Sequence, residues 1–161
     1  MLERDFRKHN RAVHHQLMQH EEDLAVVQAL MSKLRMLKQS AKRRFKTQLR
    51  PIIRQDTRWG PTFAMVHRYF ALQEFLDAED EDIMGLLPSP ACNRRLKKLH
   101  VELKDIESVS KALQAEDVSL LDDRVWFDDL IAAHPTFVIY IGPRANIVDS
   151  PDFESGRRLS R

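Results

Sequence analysis

Apolar residues recur at helical spacing along most of this chain. The segment before Gln48 holds two apolar stripes with three- and four-residue steps, separated by the polar interval 20–23. The second stripe runs from Leu24 to Ala41 and ends in a basic cluster. We therefore predict two helices with a break at the polar interval. The second should end before Pro51, because proline cannot donate the helical backbone hydrogen bond.

Three further helices follow from the same pattern. We place one over about residues 61–77, since Pro61 suits a first helical turn and apolar residues follow it at helical spacing. The next covers about residues 90–115, where the apolar stripe advances by alternating steps of three and four behind Ser89, a good N-cap. The last covers about residues 120–133 and ends at Pro135.

One stretch, Phe137–Ile141, has the composition of a β-strand. A lone strand is not stable, so we expect an extended segment that packs on the helices or pairs with another chain. The predicted fold is all-α, an irregular bundle of about four to five helices with one short extended segment near the C-terminus. We divide the chain into a helical domain, 1–134, and a second part, 135–161, in which a disordered basic tail follows the extended segment.

Composition narrows the class of protein. The chain has 161 residues, only four glycines and a single cysteine, Cys92, so we expect one domain, no internal disulfide and a reducing compartment. The first residues lack a secretory signal, and no apolar run approaches the ~18 residues of a membrane span. The expectation is an intracellular protein without a membrane partner.

Charge is segregated along the chain although its net value is only +2. Between Lys33 and Arg58 the only acid is Asp56, whereas residues 74–82 carry acids and no base. The acidic run should form a solvated link between helices. Cations at the end of a helix complement its dipole, and the basic segment could also contact phosphates. The predicted nucleic-acid-binding residues are Lys38, Lys42, Arg43, Arg44, Lys46, Arg50, Arg54, Arg58 and Trp59.

Motifs for catalysis are not evident. The histidines lack ligand spacing, the carboxylates do not lie on separate rigid elements, and no glycine-rich phosphate loop occurs. Cys92 follows a predicted helix start but has no evident base partner, so an inert thiol is expected. We predict no enzyme activity, no metal, no cofactor and no small-molecule substrate.

The segment Thr57-Arg58-Trp59 carries a family resemblance. With Thr62 it resembles the Thr-Arg-Trp-Asn-Ser-Thr motif of the hAT superfamily of DNA transposases, although Gly60 and Pro61 depart from it. The segment 103–114 is similar to a second family stretch, in which a glutamate precedes a Ser/Thr-Lys pair. The resemblance extends over about residues 10–155.

The resemblance implies a helical piece of such a transposase without its three catalytic acids, its zinc finger or its dimerisation segment. We expect a truncated or relic, catalytically inactive protein that contacts the DNA backbone in the nucleus. The family places Arg-Trp near the cleaved transposon end, so Trp59 would stack on a base; otherwise it is a hydrophobic anchor before its helix. The alternatives are a non-functional relic, or a protein-interaction or homo-oligomerisation module built on an exposed stripe from Leu96 to Leu113.

Overall fold

The computed structural model describes residues 13–55, 59–114 and 120–142, and these segments contain helices and no strand. Residues 13–18 are helical. The helices that follow are α1 (Glu21–Leu34), α2 (Leu37–Arg44), α3 (Trp59–Leu72), α4 (Pro90–Ala112), α5 (Leu120–Ala133) and α6 (Val138–Ile141). Short 3₁₀ turns occur at Gln73–Phe75, Met84–Leu86 and Pro135–Phe137. The predicted all-α class is confirmed.

The chain forms two compact units. One comprises residues 16–104, and the other comprises residues 1–15 with 105–161, so the boundary falls inside α4. In the 16–104 unit, α1 packs against α3 and against the turn Met84–Leu86. In the second unit, α5 packs against α6 and the turn Pro135–Phe137.

The first two helices show where the sequence pattern was informative and where it was not. A turn at Gln19–His20 precedes α1, as the polar interval predicted, and the acids Glu21, Glu22 and Asp23 occupy the positive N-terminal turn of α1. The predicted second helix is interrupted at Met36, whose backbone is extended, so α1 and α2 are separate. No proline or glycine marks that break.

Helix α4 begins as the sequence predicted. Ser89 Oγ accepts a hydrogen bond from the backbone N–H of Cys92 at 3.2 Å, and Pro90 is the first helical residue. Its apolar stripe, however, is not exposed: Leu96, Leu99, Leu103 and Ile106 are completely buried. The expectation of an exposed oligomerisation stripe is therefore wrong, because these side chains form part of the core of their own chain.

The prediction of an extended segment at Phe137–Ile141 is also wrong. Residues 135–137 form a 3₁₀ turn, and Val138–Ile141 is helical. Phe137 and Ile141, four residues apart, are buried, whereas Ile139 is 59% exposed. A strand would place residues 137, 139 and 141 on one face, so the burial follows the helical period instead. Packing against α5 overrides the β-propensity of the sequence.

Candidate nucleic-acid interface

Helix α2 ends in three cations, Lys42, Arg43 and Arg44, where positive charge complements the negative end of the helix dipole. The next residue, Phe45, is 92% exposed. The predicted basic segment thus includes a helix C-terminus on the surface of the 16–104 unit. The three cations have different environments, which determine what each can bind.

Lys42 is engaged by the acidic segment. Its Nζ lies 2.6 Å from Asp80 Oδ2, while Gln39 Nε2 donates to Asp80 at 3.2 Å and to Asp82 at 3.3 Å. The Lys42 ammonium, assisted by the backbone N–H of Asp82, lowers the pKa of Asp80 to about 2. The run 74–82 is therefore not simply a solvated link. Asp77, Glu79 and Glu81 are exposed, whereas Asp80 ties the segment to α2.

Arg54 is held by α1. Its guanidinium donates two hydrogen bonds to the Glu21 carboxylate, one of them 2.9 Å long, and its backbone N–H donates to Gln28 Oε1 at 3.0 Å. These bonds fix the segment after Pro51 alongside α1. The charge of Arg54 is consequently balanced by a carboxylate.

Four arginines line one groove of about 810 Å³ between the end of α1, α2 and the segment that follows it. They are Arg35, Arg43, Arg44 and Arg50, accompanied by the polar side chains of Ser40, Thr47 and Gln48. Among the described residues, no carboxylate lines this groove. The groove, called the arginine groove below, therefore has a strongly positive lining.

Arg43 is the fixed element of the arginine groove. It donates to the backbone carbonyl of Leu49 and, at 3.3 Å, to Ser40 Oγ, while its Nε is buried without a hydrogen-bond partner. Burial, followed by the positive charges of Arg44 and Arg50, lowers the pKa of Arg43. The guanidinium is held by neutral acceptors in a field of like charge, and a bound anion would relieve that repulsion.

The remaining residues predicted to bind nucleic acid do not line the arginine groove or lie outside the described residues. Lys46 is exposed and lines a neighbouring groove of about 770 Å³ with Phe45 and the acids of the 77–82 segment. Trp59 is the first residue of α3 and is partly buried. Arg58 and the side chain of Lys38 lie outside what the structure describes.

Two other features of the 16–104 unit are the Cys92 thiol, which the sequence analysis considered, and a pair of histidines, which it did not identify. The Cys92 thiol is buried, and burial together with the Asp23 carboxylate raises its pKa to about 11, in keeping with an inert thiol. His67 of α3 and His100 of α4 lie close together, with His67 Nδ1 3.1 Å from His100 Nε2. Sequence spacing missed this pair, because its members are 33 residues apart and only the packing of two helices joins them.

Burial lowers the pKa of His100, and the charges of His67 and Lys104 lower it further. Within the described residues, no group of three or more His, Cys, Asp and Glu side chains has metal-binding geometry. Nor does any helix in this part of the chain have the length and apolar character needed to cross a membrane.

No protein-family model, curated protein or solved structure matches this chain. The resemblance to hAT transposases consequently stays a hypothesis that rests on the residues themselves.

Proposed function

We propose that this chain binds nucleic acid without sequence specificity, through phosphodiester contacts in the arginine groove. The observation that carries the proposal is the convergence of Arg35, Arg43, Arg44 and Arg50 on one groove whose described lining contains no acid. A groove lined by one sign of charge focuses the field and attracts counter-ions of opposite charge. Guanidinium groups also match phosphate oxygens in a two-point geometry.

The form of the site favours a phosphate backbone over a small anion. A groove of about 810 Å³ is much larger than one phosphate, and its arginines come from three successive parts of the chain. Arg35, Arg44 and Arg50 are exposed and can follow a polymeric ligand, whereas Arg43 is held by Leu49 and Ser40. Repeated phosphates could occupy such a surface together.

The cations predicted from sequence differ in how available they are to phosphate. Lys42 and Arg54 are balanced by Asp80 and Glu21, so a phosphate would have to displace an existing carboxylate. Among the described lining residues, no such carboxylate competes for Arg43, Arg44 and Arg50. Arg35 joins them in the groove, although it was not among the binding residues predicted from sequence.

We propose that the Trp59 indole stacks on a base of the bound nucleic acid. It opens α3, whose first turn contains no acid, so the positive end of the helix dipole is not offset there by a helical carboxylate. A phosphate at that end would place the adjoining base near the partly buried indole. Together with the resemblance of Thr57-Arg58-Trp59 to the hAT motif, this supports a transposase-derived, catalytically inactive nuclear protein that prefers frayed or terminal DNA.

Fluorescence anisotropy with a labelled DNA duplex over a salt series tests the proposal. We expect the double substitution Arg44→Ala with Arg50→Ala to weaken binding and to reduce the slope of log K against log salt by about 1.8, or 0.9 for each phosphate contact. The matched control replaces Arg94 and Lys97, two exposed cations of α4, by alanine and removes the same charge.

The control should change the slope much less than the groove variant does. If both double variants lose affinity equally, net charge alone accounts for the binding and the groove has no special role. If the parent protein binds no DNA at low salt, the proposal is wrong.

A further inference from the structure

Helices α3 and α4 bring two imidazole nitrogens together on one side of the 16–104 unit. His67 Nδ1 and His100 Nε2 are 3.1 Å apart, and both residues lie within regular helices. His67 is exposed and His100 is partly buried, so the pair can be reached from solvent. The arginine groove does not include either residue.

The separation of the two nitrogens suits a shared metal ion. Zinc–nitrogen bonds are about 2.0–2.1 Å long, so two nitrogens on one ion are roughly 2.9 Å apart at a right angle and roughly 3.3 Å apart at the tetrahedral angle. The observed 3.1 Å lies between these values. In the metal-free pair the two nitrogens face each other, with ring centroids 5.3 Å apart, so both rings would have to rotate until their lone pairs converge on the ion.

We propose that His67 Nδ1 and His100 Nε2 form a two-histidine site for a divalent transition-metal ion such as Cu²⁺ or Zn²⁺. In the metal-free pair one nitrogen donates its proton to the other in a hydrogen bond. On binding, that proton moves through water to the second nitrogen of the same ring, and both imidazoles ligate in the neutral form. The exchange releases no net proton from two neutral rings.

Aromatic side chains hold the rings in place. The Phe63 ring stacks on His100 with centroids 5.9 Å apart and lies 5.8 Å from His67, one turn along α3. The Phe70 ring, also on α3, contacts His100, and the two ring centroids are 5.3 Å apart. Ligands on rigid helices with packed rings lose little freedom when they bind an ion, which favours binding by so few ligands.

The surroundings select the class of ion. Within the described residues no third His, Cys, Asp or Glu joins the pair, so water or an outside ligand completes the coordination. Lys104 places a positive charge near His100 and opposes any cation. Hard ions such as Ca²⁺ and Mg²⁺ need oxygen ligands, whereas imidazole suits copper, zinc and nickel, with copper bound most tightly.

Isothermal titration of the full chain with CuCl₂ and with ZnCl₂ tests the site. We expect one ion per chain, bound more tightly for Cu²⁺, and a dissociation constant weakened by at least about tenfold in His67→Gln and in His100→Gln. The matched control is His134→Gln, because His134 Nε2 lies 3.1 Å from a carboxylate, Asp105 Oδ2, and could hold an ion by itself.

Nitrogen-15 NMR of the histidine rings provides a second measurement. Zn²⁺ should shift His67 Nδ1 and His100 Nε2 and leave His134 unchanged. His67 is exposed, so His67→Gln should keep the fold even if His100→Gln does not. The proposal is overturned if no ion binds at about 1 mM, if His67→Gln leaves the dissociation constant unchanged, or if His134→Gln weakens binding as much as His67→Gln does.

Discussion

The ammonium group of Lys42 lies 2.6 Å from the carboxylate of Asp80 and joins the basic end of α2 to the acidic segment 77–82. Asp82 adds a weaker contact at 3.9 Å. The two oppositely charged runs of the sequence therefore partly neutralise each other. Lys42 is consequently less available to phosphate than Arg44, its neighbour in the same helical turn.

This relationship predicts the effect of Asp80→Asn on DNA binding. Removing the carboxylate frees Lys42 and reduces the negative charge beside it, so duplex affinity should rise by about two- to fivefold, as expected for the loss of one ion pair near the surface. Lys42→Ala in the parent should change affinity less than Arg44→Ala does. Fluorescence anisotropy at a fixed low salt concentration measures both effects.

Glu79→Gln serves as the charge-matched control, because Glu79 is exposed and has no ion pair with Lys42 among the described contacts. A gain in affinity of equal size in Asp80→Asn and Glu79→Gln would show that general charge, and not release of Lys42, is responsible.

A second prediction concerns acid stability. Asp23 is 9% exposed at its side chain and accepts two hydrogen bonds from Arg95, at 2.7 and 2.6 Å. Those bonds lower the pKa of Asp23, although burial raises it in part. Asp23→Asn should destabilise the protein at pH 7 by about 1–2 kcal/mol, a modest value because Arg95 is itself exposed and screened.

The sign of the pH dependence follows from the lowered pKa. The contribution of Asp23 is complete above its unfolded pKa and is lost as the pH falls through its folded pKa, so the difference between parent and variant should begin to shrink below about pH 4. Urea unfolding at pH 7 and pH 3 measures the difference. The pair Lys111–Glu107, one turn apart on α4 with an exposed lysine, provides a control, and Glu107→Gln should change stability little at either pH. A difference for Asp23→Asn that is as large at pH 3 as at pH 7 would exclude the ionic explanation.

The sequence predicted helices best where several local signals agreed. For α4, the Ser89 cap, Pro90 and the regular apolar steps all indicated the same start, and the observed helix ends three residues before the expected boundary. The extent of α5 matches its prediction. The break at Met36 had no such signal, since the apolar stripe continues through it.

The candidate site was predictable only in part. A basic cluster can be seen in the sequence, but which cations are balanced depends on contacts between distant residues, such as Arg54 with Glu21, 33 positions away. The histidine pair depends likewise on the packing of α3 against α4. The spacing of residues within one segment does not show which distant segments they will contact.

A third prediction concerns the apolar stripe of α4. Leu103 is completely buried, so Leu103→Ala should destabilise the protein by about 2–5 kcal/mol. Val101 lies on the same helix and is 61% exposed, so Val101→Ala should change stability by no more than about 0.5 kcal/mol. Urea unfolding monitored by circular dichroism measures both. Because the stripe is internal, light scattering of the parent should show no oligomer that depends on it. A stable Leu103→Ala protein that dissociates from a parent dimer would contradict this.

The last prediction separates two roles of Trp59. A fully buried tryptophan replaced by alanine costs about 3–5 kcal/mol, and because Trp59 is only partly buried at the start of α3, Trp59→Ala should cost less than ~3 kcal/mol. If its indole stacks on a base, binding to single-stranded or flapped DNA should weaken by about 1–3 kcal/mol. Duplex affinity, which depends on the arginine groove, should stay near the parent value.

The other tryptophan is a suitable control for that experiment. Trp126 lies in α5, in the second unit, and is also partly buried, so Trp126→Ala tests the loss of an indole of similar exposure. It should lower stability without changing the preference for flapped over duplex DNA. If Trp59→Ala instead lowers the affinity for flapped and duplex DNA equally, the indole supports the fold of the groove and does not stack on a base. If it leaves both affinities unchanged, Trp59 has no part in DNA binding, and the likeness to the transposase motif carries no present function.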